Sequence, residues 1–285
     1  MRLSNNIKAF IIISLSIILY FIGDATLSKG IVKIPKGCMV VPNMVGKGLT
    51  GGSHGLIFQY LPQINNGQRD KSFAFNILDK GTPVGNFALS HTKPLHLILL
   101  STDDRFYYHL HPVYINGLWS ATLPKMIKAN YQAYIDFDYK NYNFVLKGYI
   151  GELGSDAQSS YNTFPDYKVV TNSTYNTKSH NMMLFLVTYQ GKSIPLESYL
   201  GVAGHIVGIR ASSGEYVHFH TLSSSAMNQC PAYLMPMVDS GLSEDLKEGV
   251  IHFMSSFPGR GRYYIFMQFS VRGLVVTKSF TAMVN

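Results

Sequence analysis

The chain has 285 residues, of which 46% are hydrophobic and 14% charged, and this balance excludes a disordered, highly charged protein. Its 19 Tyr, 17 Phe, 25 Gly and 12 Pro are typical of short strands joined by tight turns, so we expect an all-β fold. The net charge of +8 predicts attraction to acidic surfaces but no particular ligand.

The first 25 residues have the pattern of an export signal. Arg2 and Lys8 precede an apolar run from Ala9 to Ile22, and the small residues of Gly23-Asp24-Ala25 suit a signal peptidase. This run has 14 residues, whereas a membrane span needs about 20. We therefore expect a signal peptide over residues 1–25 and a periplasmic or secreted protein. The alternative is an uncleaved segment that anchors the protein to the inner membrane.

Residues 26–66, between the signal and the first repeated segment, form a Gly-rich leader with weak periodicity, to which we assign no element. The two cysteines of the chain are Cys38 and Cys230. In an exported protein they are expected to form one disulfide, and the alternative is a metal-bound thiolate.

A pattern of histidines occurs twice in the chain. The spacing H-x12-H-x-H is found at His96, His109 and His111, and again at His205, His218 and His220. The flanking sequences repeat as well, because 73–84 matches 184–194 and 131–137 matches 263–269. The repeats predict two copies of one module.

Each copy contains six or seven short apolar runs separated by turn residues, which favours a β-sandwich. We therefore predict tandem immunoglobulin-like or cupredoxin-like sandwiches, the first over 67–150 and the second over 151–285. The second copy is longer by an insertion at about 222–249.

The repeated histidines have the spacing of metal ligands. On a strand, residues two apart point to the same face, so His109 and His111 project together, as do His218 and His220. His96 and His205 would lie on the preceding strand of a hairpin, within reach of these pairs. Three imidazoles suit zinc or copper better than hard cations. The alternative is that the rings pack as ordinary half-buried polar groups.

The insertion carries possible soft-metal ligands. Met227, Cys230, Met235 and Met237 follow the second histidine cluster closely, and thioether and thiolate groups favour Cu(I). The alternative is that these methionines fill gaps in a packed loop.

Several acidic residues lie close to the histidines along the chain. Asp103, Asp104 and Glu215 are candidates for orienting an imidazole ring. Asp136 and Asp138 are expected to be solvated or turn residues. G-x-S-x-G, H-E-x-x-H, P-loop and G-x-G-x-x-G motifs do not occur, so we assign no catalytic residues. Export argues against nucleic acid as a partner.

The two histidine segments and the segments after them resemble a group of uncharacterised secreted bacterial proteins. The resemblance covers about Phe73 to Tyr139 and Met182 to Ala282, and its strongest signatures are the two clusters and L-x-x-Y-L-G-x-x-G-H. It implies two immunoglobulin-like modules outside the cytoplasm, loosely associated with heavy metals. One departure is Thr221, which stands where the first copy has Pro112.

These observations lead to three functional hypotheses. The first is an exported protein that binds copper or zinc, at one site per module or at one site shared between the modules. The second is a structural or interaction module that binds an envelope protein without metal. The third is a metal-dependent oxidoreductase. Convergence of the three rings of a copy to within about 4 Å would favour the first.

Overall fold

The computed structural model describes residues 55–62, 72–90, 92–140, 142–155, 164, 166–171, 175–177, 181–220 and 246–285. For Met182, His220, Met254 and Ser255 it describes the backbone alone. The signal segment, most of the leader and of the insertion, and the candidate ligands Cys38, Met227, Cys230, Met235 and Met237 lie outside these residues. The predicted disulfide and the soft-metal ligands therefore stay predictions.

The first module is built from nine strands of the described sequence. They are β1 (Leu56–Leu61), β2 (Ser72–Asp79), β3 (Thr82–Pro83), β4 (His96–Ser101), β5 (Tyr107–Leu110), β6 (Val113–Ile115), β7 (Leu118–Thr122), β8 (Ala129–Tyr139) and β9 (Tyr142–Leu153). One antiparallel sheet has the order β1-β2-β7-β6, with β3 beside β2, and the other has the order β5-β4-β8-β9. This is the strand order of an immunoglobulin-like sandwich.

The second module repeats this arrangement with eight described strands. They are β10 (Tyr167–Thr171), β11 (Asn181–Tyr189), β12 (Lys192–Ser193), β13 (His205–Arg210), β14 (Tyr216–His220), β15 (Val250–Ser255), β16 (Gly261–Val271) and β17 (Leu274–Val284). One sheet places β10 and β15 beside β11, with the short β12, and the other has the order β14-β13-β16-β17. The predicted tandem of all-β sandwiches is confirmed, and the immunoglobulin-like alternative describes its topology.

Both modules contain the same tyrosine near the start of the same strand. The Tyr131 hydroxyl donates to Ile127 O at 2.7 Å, and the Tyr263 hydroxyl donates to Gly259 O at 2.8 Å. A tyrosine that bonds to the backbone a few residues upstream at this corner is a hallmark of immunoglobulin-like sandwiches. The two tyrosines also occupy the same position in the two matched sequence segments.

The strands with continuous apolar sequence belong to sheets that are buried on both faces. In β4, Leu97 and Leu99 point into the core of the first module, whereas Ile98 and Leu100 belong to a separate apolar cluster. That cluster also contains Val207 of β13 and other residues of the second module. The sheets β5-β4-β8-β9 and β14-β13-β16-β17 therefore pack against each other, and we call them the facing sheets. Strands buried on both sides read as continuous apolar runs.

The observed strands of the first module extend beyond both of its predicted boundaries. β1 lies at Leu56–Leu61, inside the segment set apart as a leader, and pairs along its whole length with β2. The first module therefore includes residues before 67, and its last strand continues to Leu153. The segment Leu56–Leu61 is too short for its alternation to stand out from the Gly-rich sequence around it. Among the described residues, no helix is long and apolar enough to cross a membrane.

Candidate metal centre

Aromatic pairs join the facing sheets. The ring of Tyr107 on β5 stacks on Phe266 of β16, with centroids 4.5 Å apart, and Tyr134 on β8 stacks on Tyr216 of β14 at 5.4 Å. Tyr107 and Tyr216 are equivalent residues of the two copies, and so are Tyr134 and Phe266. The interface is thus built from the same contact made twice, in opposite directions.

The predicted histidines of the first module come together beside this apolar interface. His96 and His109 have ring centroids 5.1 Å apart, and His111 lies 5.2 Å from His96 and 4.6 Å from His109. Each of the three offers one ring nitrogen within 4.8 Å of those of the other two. This spacing is wider than the predicted 4 Å, yet it allows one ion to be reached by small ring movements.

Two predicted histidines of the second module face the same space. His205 and His218 have centroids 5.7 Å apart, and the His218 ring lies 5.2 Å from that of His96. His220 lies opposite His205 in the β13–β14 register, and its side chain is outside the described set. The structure therefore brings five of the six predicted histidines into one cluster between the modules.

Backbone carbonyls orient the first histidine of each copy in the same way. His96 Nε2 lies 3.1 Å from Ser90 O, and His205 Nε2 lies 3.3 Å from Tyr199 O. Both carbonyls precede their histidine by six residues. Since a carbonyl only accepts hydrogen bonds, Nε2 carries the proton in both rings, and Nδ1 carries the lone pair of the neutral form.

Side chains of the opposite module orient the second histidine of each copy. His109 Nδ1 lies 2.6 Å from Oε1 of Gln268, which is on β16 of the second module. His218 Nδ1 lies 2.9 Å from Oδ2 of Asp136, which is on β8 of the first. Hydrogen bonds of this kind fix the tautomer and the direction of metal-binding imidazoles.

The His96 and His109 rings approach each other through one nitrogen each. His96 Nδ1 and His109 Nε2 are 2.9 Å apart. Ser90 O accepts the proton of His96 Nε2, and the amide oxygen of Gln268 accepts the proton of His109 Nδ1. Each ring therefore carries its proton on the nitrogen that points away from the other ring. With this assignment of protons the two neutral rings present lone pairs to each other, and a cation bound by both nitrogens would remove that repulsion. In a tetrahedral zinc site, two nitrogens would be about 3.3 Å apart.

Burial keeps these rings neutral and able to bind metal. Burial lowers the pKa of His96 from 6.5 to about 4, with a further contribution from the charge of His218. Burial also lowers the pKa of His111 to about 3 and the pKa of His109 well below its ordinary value. His111 Nε2 is buried and has no hydrogen-bond partner among the described residues. A neutral imidazole with a buried lone pair is the form that binds a metal ion.

Asp136 is a buried carboxylate rather than the solvated residue that the sequence suggests. It is 7% exposed, and it accepts hydrogen bonds from the Tyr216 hydroxyl at 3.2 Å and from Asn143 Nδ2 at 2.9 Å. Burial alone would raise the pKa of Asp136, but the hydrogen bond and charge of His218 outweigh it and lower the pKa. The group is therefore a carboxylate at neutral pH.

The acidic residues chosen from the sequence have other partners. Asp103 accepts from Ser101 and Arg105, and Glu215 pairs with Arg210 at 3.4 Å. Sequence reasoning missed Asp136 and Gln268, although both are polar positions inside apolar strands. The repeated segments 131–137 and 263–269 align Asp136 with Gln268, and this alignment is the signal that would have found them.

The second module matches a family of unknown function. Residues 162–285 match the family described as Domain of unknown function (DUF8832). No curated protein matches the chain in sequence.

Several solved structures resemble the chain at low similarity. The "Biofilm associated protein - BSP domain" is 10% identical with a TM-score of 0.21; the match covers 75% of this chain and 28% of that one. A chimeric titin Z1Z2 functionalized with a decorin peptide is 9% identical with a TM-score of 0.20; the match covers 75% of this chain and 87% of that one. The structure of titin domains Z1Z2 in complex with telethonin is 10% identical with a TM-score of 0.19; the match covers 76% of this chain and 89% of that one. The immunoglobulin-like assignment accordingly rests on the strand order of the two modules.

Proposed function

We propose that this chain is a metal-binding protein and that it binds zinc or copper at the histidine cluster between its modules. The observation that carries the proposal is the 2.9 Å approach of His96 Nδ1 to His109 Nε2, with both rings bonded on their far sides to oxygen acceptors. Such an arrangement of neutral imidazoles is favourable when a cation lies between them.

The donor atoms decide the class of metal. The described ligands are imidazole nitrogens, which suit zinc and copper and disfavour calcium and magnesium. Three imidazoles and one further ligand would give the tetrahedral coordination that Zn²⁺ favours, whereas Cu²⁺ prefers a square-planar or tetragonal arrangement. We therefore expect zinc to be the better fit and copper the main competitor. An exported location is part of the proposal and is supported by the sequence pattern of residues 1–25.

The experiment is metal binding by the full chain, measured by competition with a chromophoric chelator for Zn²⁺ and for copper in separate titrations. We expect stoichiometric binding by the wild type and its loss in His96→Ala and His109→Ala. His252→Ala is the matched control, since His252 is an exposed histidine on β15. A wild-type chain that binds neither metal, or variants that bind as well as the wild type, would refute the proposal.

A further inference from the structure

We propose that the two modules share one metal centre, in which His96 and His109 of the first module and His205 and His218 of the second bind the same ion. The inference rests on the proposed function and adds to it the identity of the ligands and a role for the metal. The ion would hold the facing sheets together, so that metal and module placement depend on each other.

The four rings form a nearly regular tetrahedron. His96 lies 5.1, 6.1 and 5.2 Å from His109, His205 and His218, measured between ring centroids. The remaining three separations are 5.9, 5.8 and 5.7 Å. Four imidazoles on a tetrahedral zinc ion, with Zn–N bonds of about 2.05 Å, would have centroids about 5.2 Å apart. The centroids of these four rings, from two separate sandwiches, are therefore within about 1 Å of the spacing of a four-histidine centre.

The departures from the ideal spacing are largest for one ring. His96 lies at about the ideal distance from both His109 and His218. The three distances to His205 are longer, at 5.7, 5.9 and 6.1 Å. Forming the centre would therefore require ring movements of less than about 1 Å, with the largest movement at His205.

The hydrogen bonds of the rings suit this arrangement. Each of the four rings has one nitrogen bound to an oxygen: Ser90 O, Tyr199 O, Gln268 Oε1 or Asp136 Oδ2. In metal centres the opposite nitrogen is the ligand, and the oxygen partner sets the ring's direction. Two of these oxygens belong to the opposite module, so the orientation of the His109 and His218 rings depends on how the modules pack.

Burial gives the centre the character of a structural site. His96 and His205 are each 1% exposed, and His218 is 6% exposed. Four protein ligands leave no position for water, which is the pattern of structural rather than catalytic zinc sites. His111 lies beside His96 and His109 in the first module, and is the competing fourth ligand.

The experiment is a Zn²⁺ titration of the full chain with native mass spectrometry and chelator competition, compared among single variants. The test variants are His205→Ala, His218→Ala and His218→Gln; Gln can still donate to Asp136 but binds zinc poorly. His111→Ala tests the competing ligand, and His252→Ala is the control. We expect one ion per chain, a loss of affinity of at least about tenfold in the three test variants, and a smaller loss in His111→Ala.

Three results separate the possible failures. Zinc that binds with wild-type affinity to the His205 and His218 variants, but not to His109→Ala, would refute the shared centre and leave the proposed function intact. A stoichiometry of two zinc ions per chain would also refute the shared centre and leave the proposed function intact. Absence of binding by the wild type would refute the proposed function itself.

A second set of measurements identifies variants that fold poorly and tests the shared centre independently. Far-UV circular dichroism in chelator must match the wild type before an affinity is compared. In the wild type, Zn²⁺ should slow amide hydrogen exchange in both β5 and β14, because the ion restrains both modules. Slowing confined to the first module would contradict the shared centre.

Discussion

Asp136 and Gln268 occupy equivalent positions in the two modules, and each orients a histidine of the other module. Asp136 is the register partner of His96 on β4, and Gln268 is the register partner of His205 on β13. Their side chains cross the interface in opposite directions, to His218 and to His109. The arrangement is symmetric in geometry but not in charge, because Asp136 alone of the two is a carboxylate.

Replacing Asp136 by Asn should weaken metal binding without removing a ligand. The carboxylate makes the His218 ring a better donor, and loss of such a partner costs about 10- to 100-fold in affinity. Chelator competition with Zn²⁺ measures the effect. Asp138→Asn is the control, because Asp138 lies two residues away and bonds to Asn143. Equal affinities of Asp136→Asn and the wild type would contradict the assigned role.

Replacing Gln268 by Glu should strengthen metal binding. A carboxylate can only accept, so it fixes the proton on His109 Nδ1 and leaves the lone pair of Nε2 facing His96. We expect the affinity for Zn²⁺ to rise and the metal-free protein to lose stability, because a second buried carboxylate needs a cation. Thermal unfolding with zinc and with chelator measures both effects. Gln190→Glu, at an exposed turn, should change neither.

The metal-free protein should lose stability as pH falls below 6.5. Burial holds the pKa of His96 at about 4 and that of His111 at about 3, against an ordinary 6.5, so the unfolded chain binds more protons in this range. Charged or titratable groups that face these rings are Lys93, Asp136, His205 and His218. The lowered pKa of Asp136 adds a loss with the same sign, but only near and below pH 3.8.

Urea unfolding in chelator at several pH values between 7.5 and 4.5 tests this dependence. The free energy of unfolding should be constant above pH 7 and decrease steadily below pH 6.5. His111→Gln should have a shallower decrease, whereas His252→Ala should follow the wild type. A free energy of unfolding that does not change between pH 6.5 and 4.5 would show that these rings are not held neutral by the fold.

Phe266→Ala should destabilise the protein and weaken metal binding together. Phe266 is 2% exposed and stacks on Tyr107 across the module interface. Loss of a buried Phe typically costs about 3–5 kcal/mol, and the cavity left here would loosen the placement of the facing sheets. Urea unfolding and zinc competition give the two readouts. Leu89→Ala, at a position 70% exposed, should change the free energy of unfolding by less than about 0.5 kcal/mol.

Much of the fold could be predicted because it depends on local pattern. The repeated spacing of His96 and His205 and the matched segments around them predict two modules, and period-two alternation places His109 and His111 on one face. β1 was missed, because a six-residue strand in Gly-rich sequence is recognised only through its pairing with β2.

The cluster itself could be predicted only in part. Sequence spacing identifies which histidines share a module, but it contains no information on how two sandwiches pack. Asp136 contacts His218 across 82 positions of sequence, and His109 contacts Gln268 across 159. Contacts of this range depend on how the facing sheets pack, which local sequence pattern does not specify.

The crossed contacts bear on what one module can do by itself. Residues 162–285, the range of the matched family, contain Gln268 but not the ring that it orients, and His218 but not its carboxylate. In such a fragment Val207, Ile209 and Phe266 would form an exposed apolar face, because their neighbours Ile98, Leu100 and Tyr107 belong to the first module. Expressed alone, it should associate with a second copy or with the missing half, and mixing the two halves should restore a single soluble complex.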